Sequence, residues 1–247
     1  MTAKTAEKEY EIHYYEVDYK KEMLITSLMN YFGDLCTRQS ESLGLTFDYM
    51  KENNCVWVLY KWDIKIKKYP VYGEVIKIKT IPNSFRRFYG YRKFEVRNEK
   101  DELIIEGDSM WFLIDMNKRK PLKIPKEMYD IFGLGEEDNE KTEIRKIKLP
   151  DEFEITKNFY VRYSDIDTNL HVNNVKYADW VIETVPMDIV TKCSLKSINI
   201  TYEKETMYGD IIKVYTNVNK VEKGAVCLHK IEDSKGNVIT TAETCWG

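Results

Sequence analysis

Hydrophobic and polar residues follow one another along the chain in an order that occurs twice. Residues 10–17 predict a first strand, and a helical pattern follows over residues 24–43, with Gly44 as its stop. Segments rich in aromatic and β-branched residues then predict strands at residues 55–67, 74–81, 88–97 and 103–114. One helix followed by several strands is typical of an α+β fold.

Residues 121–150 interrupt this order with two glycines and a run of charged residues. We interpret them as a surface linker with a short helix near residues 128–132. The order of strand, helix and strands then starts again. We therefore predict an N-terminal domain of residues 1–135, a charged linker of residues 136–152 and a C-terminal domain of residues 153–247.

The two halves also match residue by residue. The run I-K-I-K-K-Y-P-V-Y-G-E-V-I-K at residues 64–77 matches I-T-Y-E-K-E-T-M-Y-G-D-I-I-K at residues 200–213, at an offset of 136. Residues 100–111 match residues 235–246 at an offset of 135. The helices align at an offset of 145, with residues 32–35 against residues 177–180. These near-constant offsets predict duplication of one α+β unit.

The densest polar cluster is the run R-Y-S-D-I-D-T-N-L-H-V-N-N-V-K-Y at residues 162–177. An extended segment becomes a turn and then enters a helix, with Asn173 or Asn174 as its N-cap and Pro186 as its stop. Backbone N–H groups at a helix start can bind a developing oxyanion. The crowding of acid, carboxamide and imidazole groups at this junction predicts a functional site.

Composition narrows the classes of function. The 247 residues are 43% hydrophobic, which is enough for a core, and the net charge of −3 is no general reason to bind nucleic acid or an anionic membrane. Five scattered cysteines without C-x-x-C favour reduced thiols in the cytoplasm, and three distant histidines lack the spacing of metal ligands. Residues 1–9 do not resemble a secretory signal, and the uncharged apolar stretch at residues 23–33 is too short to span a bilayer.

The run at residues 162–177 resembles, nearly residue for residue, the signature of the acyl-acyl carrier protein thioesterases. The resemblance covers essentially the whole chain. It implies a tandem double hotdog, in which each long helix is wrapped by an antiparallel sheet. The family's Y-x-x-E-C motif is matched by Y-E-K-E-T at residues 202–206, with Glu205 at the Glu position and Thr206 in place of the Cys. That departure counts against a cysteine nucleophile.

The implied activity is hydrolysis of fatty acyl-[acyl carrier protein] thioesters to free fatty acid and carrier protein by an activated water. In this hypothesis Asp167 orients its neighbours, Asn169 donates an amide N–H, and His171 hydrogen-bonds the water or the carbonyl. Glu205 serves as the general base. Three residues are expected to support the site, namely Asn173, Asn174 and Thr206.

The expected partner is an acyl carrier protein with a 4'-phosphopantetheine-linked acyl chain, with no cofactor, metal, nucleic acid or membrane involved. The resemblance implies a cytoplasmic homodimer, and the lack of a transit-like N-terminus suggests a bacterial type. Two alternatives stay open. One is an acyl-CoA thioesterase of the same fold, since both substrates share the pantetheine arm, and the other is a non-catalytic acyl-binding hotdog protein.

The repeat assigns the chemistry to the second half. On the helix offset of 145, Asp167, Asn169 and His171 fall opposite Glu22, Leu24 and Thr26, and on the offset of 136 Glu205 falls opposite Tyr69. We therefore expect the first half to be a non-catalytic domain that shapes the substrate pocket. The residues considered for its lining are Met29, Phe32, Trp57, Leu59 and Trp62.

An acidic carrier protein requires a local basic patch on this slightly acidic chain. Two clusters of cations are candidates. The first comprises Arg86, Arg87, Arg92 and Lys93, and the second Lys118, Arg119, Lys120 and Lys123.

Overall fold

The computed structural model describes residues 2–135, 137 and 142–247, and residues 136 and 138–141 of the predicted linker lie outside the described residues. The chain divides into two compact units, each of which is described by itself. Unit 1 comprises Met1–Tyr60 and Lys67–Ile144, and unit 2 comprises Lys61–Ile66 and Arg145–Gly247. Of the helices in the described ranges, none is both long and apolar enough to cross a membrane.

Unit 1 is an antiparallel sheet with three helices. Its strands are β1 (Ala6–Glu11), the first part of β2 (Cys55–Ile66), β3 (Val75–Arg86), β4 (Tyr89–Arg97), β5 (Leu103–Asp115) and the short β6 (Lys120–Pro121). They are ordered β1-β3-β4-β5-β2, with β6 on β5. The helices are α1 (Ile25–Ser42), α2 (Phe47–Glu52) and α3 (Lys126–Phe132).

Helix α1 forms because its apolar residues recur at helical spacing and face one side. Leu28, Phe32 and Leu35 are buried, and the Phe32 ring stacks on Phe94 of β4 with the centroids 4.4 Å apart. The helix lies within one residue of each predicted end. The predicted first strand was wrong in position, because residues 14–16 form a 3-10 turn with Tyr14 81% exposed, and the ladder lies earlier in β1.

The stretch around α3 belongs to the core rather than to a surface linker. Ile124, Met128, Phe132 and Leu134 are buried against Phe85. The predicted short helix is confirmed. It ends at Gly133, whose φ is 69° and where an added Cβ would lie 2.4 Å from a backbone oxygen.

Unit 2 repeats the same plan on a shorter helix. Its sheet is ordered as residues 61–66 of β2, then β8 (Leu195–Tyr202), β11 (Val238–Trp246), β10 (Gly224–Glu232), β9 (Ile211–Val221) and β7 (Ile155–Tyr160). Helix α4 (Asn174–Ile182) has 9 residues where α1 has 18, and it ends before Pro186, which instead precedes α5 (Met187–Lys192). The predicted α+β class is confirmed.

Turn geometry reproduces two of the offsets found in the sequence. Gly73 and Gly209 have φ values of 82° and 85°, in the left-handed region. Asn98 and Asp233, at an offset of 135, each accept two backbone N–H groups in the turn between two strands.

The helix offset of 145 is wrong. Helix α1 begins at Ile25 and α4 at Asn174, which is an offset of 149, and the isolated bridges Val17–Met23 and Ile166–Val172 keep that offset. The residues opposite Asp167, Asn169 and His171 are therefore Asp18, Lys20 and Glu22. The offset of 145 rested on a chance similarity between residues 32–35 and 177–180, and the two helices differ in length.

A chain of buried polar groups runs through the core of unit 2 around His229. Its Nδ1 lies 2.8 Å from Thr216 Oγ1, and its Nε2 lies 2.9 Å from Thr244 Oγ1. Thr216 in turn contacts Thr184 Oγ1 at 2.5 Å. Burial lowers the pKa of His229 to about 3, so the imidazole stays neutral in the folded protein.

We predict that the free energy of unfolding decreases as the pH is lowered, because of His229. Between about pH 6.5 and the lowered pKa, the unfolded chain binds a proton here that the folded chain does not, so folding weakens as pH falls. The slope should reach about 1.4 kcal/mol per pH unit. Urea unfolding at about pH 7, 6 and 5 measures it, with His229→Gln as the control whose slope is shallower. Equal slopes in the two proteins would contradict this role.

Candidate active site

The loop between residues 166 and 172 of unit 2 is closed by its own backbone. The Asp167 N–H donates to the His171 carbonyl at 2.8 Å, and Leu170 at the tip has a φ of 65°. Asp167 Oδ1 accepts the N–H of Asn169 at 2.8 Å and that of His171 at 3.3 Å. The carboxylate thus fixes the two residues expected to act on a substrate.

The same loop shape occurs in unit 1 with different side chains. Asp18 Oδ1 accepts the N–H of Lys20 at 2.8 Å and that of Glu22 at 3.1 Å, and Lys21 has a φ of 63°. An Asp that performs the same task in both units is a determinant of loop structure. The predicted orienting role of Asp167 therefore acts through the backbone.

Asn169 is exposed and only weakly held. Its amide nitrogen lies 3.5 Å from Asp167 Oδ2, at the outer limit of a hydrogen bond. The amide N–H groups are therefore available to a bound carbonyl.

The structure brings His171 and Glu205 together although they are 34 positions apart in the chain. His171 Nε2 lies 3.3 Å from Glu205 Oε2, with both side chains partly exposed. The approach depends on the backbone, because the Val172 N–H donates to the Thr206 carbonyl at 3.0 Å. A carboxylate beside an imidazole can take a proton from water and hold it.

The start of α4 has fewer open donors than the sequence predicted. Asn173 is the N-cap, its side chain accepts the Val175 N–H at 3.1 Å, and its carbonyl accepts the Lys176 N–H at 2.9 Å. Asn174 is the first helical residue. The N–H groups of Val175 and Lys176 are therefore already bonded, whereas the Asn169 side chain is exposed.

Sequence analysis missed the contacts of Tyr177. This buried residue of α4 accepts the Thr206 N–H on its hydroxyl oxygen at 3.2 Å and shares a second hydrogen bond with Thr206 Oγ1. The only sequence signal was a phenol within an apolar helical stripe. Thr206 itself is buried, which is a poor position for a nucleophile.

A second missed feature lies just before the loop. Asp165 is fully buried and accepts two hydrogen bonds from the Arg162 side chain at 3.2 and 2.9 Å, and one from the Arg162 N–H at 2.8 Å. Burial acts to raise the pKa of Asp165, but these bonds and the guanidinium charge together hold it below its usual range. The ion pair anchors the entry to the loop.

Within residues 2–135, 137 and 142–247, no three His, Cys, Asp or Glu side chains are grouped as metal ligands.

Comparison with known proteins identifies the family. The family model for the acyl-ACP thioesterase N-terminal domain matches residues 3–132, and that for the C-terminal domain matches residues 148–247. The chain belongs to the acyl-ACP thioesterase family. Within the family, the candidate residues described above lie in the C-terminal domain.

Relatives and solved structures agree with this membership. A chloroplastic dodecanoyl-[acyl-carrier-protein] hydrolase of Cinnamomum camphora is 26% identical over 96% of this chain and 66% of its own length. The 12:0-ACP thioesterase of Umbellularia californica is 25% identical, with a TM-score of 0.87 over 98% of this chain and 94% of that one. A solved structure from Lactobacillus plantarum is 26% identical, with a TM-score of 0.88 over 99% and 96% of the two chains.

These matches confirm the predicted tandem hotdog fold of this acyl-ACP thioesterase family member. The chain spans slightly less than two thirds of the length of the plant relatives, for example 66% and 60% of two of them.

Proposed function

We propose that this protein hydrolyses fatty acyl-[acyl carrier protein] thioesters to free fatty acid and carrier protein. The observation that carries the proposal is the 3.3 Å approach of His171 Nε2 to Glu205 Oε2, beside an open Asn169 amide. Family membership and the names of the plant relatives support the substrate class.

In the proposed mechanism a water attacks the thioester carbonyl carbon while the Glu205 carboxylate takes one of its protons. His171, whose Nε2 lies 3.3 Å from Glu205 Oε2, is assigned the role of holding that side chain in place. The carbonyl oxygen becomes an oxyanion, which the Asn169 N–H stabilises. The thiolate then leaves and recovers the proton from Glu205. A thiol, with a pKa of about 8.5, needs less acid assistance than an amine.

We predict that Glu205→Gln, His171→Ala and Asn169→Ala each lower kcat by about 10²–10⁴-fold, because each removes a base, its partner or an oxyanion donor. Steady-state hydrolysis of matched acyl-carrier and acyl-CoA substrates measures this, with circular dichroism as the folding control. Near-normal turnover of Glu205→Gln would remove Glu205 from the mechanism. If the wild-type protein hydrolyses acyl-CoA faster than the matched acyl-carrier substrate, the proposed substrate class would change to acyl-CoA.

The carrier protein is proposed to bind a basic surface of unit 1. The Ile124 N–H donates to the Arg87 carbonyl at 2.8 Å, so the segment with Lys123 lies beside the turn with Arg86 and Arg87. Lys118 and Arg119 lie on the turn from β5 to β6, and Lys120 begins β6. We call these six exposed cations the basic surface.

Arg92 does not belong to the basic surface. Its guanidinium turns toward α1, where it donates to Thr80 Oγ1 at 2.9 Å and to Gln39 Oε1. Its place in the predicted first cluster was wrong, because the side of β4 on which Arg92 lies faces the helix.

We predict that combining Arg86→Glu, Arg87→Glu and Lys123→Glu lowers kcat/KM for an acyl-carrier substrate about tenfold or more and flattens its salt dependence, because opposite charges steer the carrier. Turnover of acyl-CoA should change less. The matched control reverses three exposed cations of unit 2, namely Lys220, Lys223 and Lys235. The same loss in both triple variants would show a general charge effect instead of a docking surface.

Unit 1 is further proposed to determine the preferred acyl chain length. Met29, Phe32 and Leu59 are buried, and the Phe32–Phe94 stack makes Phe32 a core residue. Trp62 lies in residues 61–66 and therefore belongs to unit 2. Trp57 stacks on Phe85 with the centroids 5.7 Å apart but is only half-buried, so it is the candidate of unit 1 that retains surface for contact with an acyl chain.

We predict that Trp57→Ala shifts the product profile toward longer fatty acids, because each additional CH₂ that is removed from water contributes about 0.8 kcal/mol. Gas chromatography of the products over a series of acyl lengths measures the shift, and Trp57→Phe serves as the conservative variant. Ile182→Ala in unit 2 is the control and should leave the profile in place. If the product profile changes with Ile182→Ala and not with Trp57→Ala, unit 1 does not determine the acyl chain length.

The cytoplasmic location and the homodimer are further inferences from the family resemblance. The five cysteines all lie in the described residues and form no disulfide there, which suits a reducing compartment. Light scattering of the purified protein distinguishes a monomer from a homodimer.

A further inference from the structure

Tyr177 ties the segment that carries Glu205 to the helix that follows the candidate loop. Its hydroxyl oxygen accepts the Thr206 N–H at 3.2 Å and bonds with Thr206 Oγ1, and both residues are buried. The Thr206 carbonyl accepts the Val172 N–H at 3.0 Å. The N–H and hydroxyl of Thr206 are therefore bonded to helix α4, and its carbonyl is bonded to the residue after His171.

Glu205 itself lies outside the strand ladder. Residues 203–206 follow the end of β8, and the N–H groups of Glu203 and Lys204 donate to the Ile239 carbonyl at 2.8 and 3.2 Å. Glu205 thus lies between a fixed residue on one side and Thr206 on the other. The contacts of Thr206 consequently set where the Glu205 backbone lies relative to the loop.

Unit 1 lacks this connection at the same place in its fold. Leu28 is opposite Tyr177 at the helix offset of 149, and Pro70 is opposite Thr206 at the strand offset of 136. Leu28 has no hydroxyl and Pro70 has no N–H. The carbonyl contact alone remains, since the Met23 N–H donates to the Pro70 carbonyl at 2.9 Å. The Tyr177 hydroxyl and its partner Thr206 therefore occur in unit 2, which is also the unit that contains Glu205.

We propose that Tyr177 is a positioning residue for the reaction, which acts by holding Thr206 so that Glu205 stays within 3.3 Å of His171. This inference rests on the proposed function. Burial raises the pKa of Tyr177 to about 12, so its hydroxyl remains protonated near neutral pH. Tyr177 contributes through hydrogen bonds, and the proton taken from water stays with Glu205.

A purely structural Tyr177 also predicts a less stable Tyr177→Phe protein, since the Thr206 N–H and hydroxyl lose a buried partner. Stability alone does not separate the two roles. The separating measurement is a double-mutant cycle with Glu205. For a positioning residue, Tyr177→Phe should lower kcat about 10- to 100-fold with little change in KM, because a small misplacement of a catalytic group is costly.

In the Glu205→Gln background, adding Tyr177→Phe should lower kcat by less than about twofold. The carboxylate that Tyr177 positions is already absent in that background. Thr206→Ser, which keeps the hydroxyl, should lose less kcat than Thr206→Val. Thr184→Val is the control, because it removes another buried hydroxyl pair in unit 2, between Thr184 and Thr216. It should lower the melting temperature without the loss of kcat.

The proposal would be overturned if Tyr177→Phe left kcat unchanged. It would also be overturned if Tyr177→Phe lowered kcat by the same factor in the wild-type and Glu205→Gln backgrounds. A crystal structure of Tyr177→Phe tests the same point without turnover, and the His171–Glu205 distance should lengthen beyond about 4 Å. An unmoved Glu205 in that structure also overturns it. If the wild-type protein hydrolyses neither acyl-carrier nor acyl-CoA substrates, the proposed function fails, and the crystal structure still decides whether Tyr177 positions Glu205.

Discussion

The candidate site depends on one carboxylate that satisfies two backbone N–H groups. Asp167 accepts from Asn169 and His171, while its own N–H and carbonyl bond to His171 and Leu170. A tight loop has few other ways to satisfy these donors, and an unsatisfied N–H is costly. Because Asp167 fixes the backbone, the Asn169 amide and the His171 imidazole remain available for chemistry.

Duplication within the chain separates what the fold needs from what the chemistry needs. Asp18 bonds the loop of unit 1 in the same manner as Asp167, so an Asp at this position serves the fold in both units. The side chains that differ between equivalent positions of the two units are not required by the loop structure. His171 and Glu205 therefore support a function more strongly than Asp167 does, although Asp167 and His171 lie within the same family signature.

Regular elements and motif residues were predictable from the sequence, whereas their connections were not. Helix α1 lies within one residue of its predicted ends because its apolar stripe is continuous. Exposed tyrosines before it resembled a strand, and α4 was expected to continue to Pro186 although it ends at Ile182. The motif identified His171 and Glu205, yet their contact depends on the bond from Val172 to Thr206. The inward turn of Arg92 and the hydroxyl contacts of Tyr177 depend on cross-element register, which periodicity does not specify.

Unit 1 has different side chains at the positions that correspond to His171 and Glu205. Tyr69 occupies the position of Glu205, next to Pro70, and Glu22 occupies that of His171. Burial raises the pKa of Tyr69 above its usual range, and the negative charges of Glu22 and Asp18 raise it further. A phenol that keeps its proton donates a hydrogen bond but does not take a proton from water near neutral pH. The position of the Glu205 carboxylate is thus taken in unit 1 by a half-buried phenol that keeps its proton.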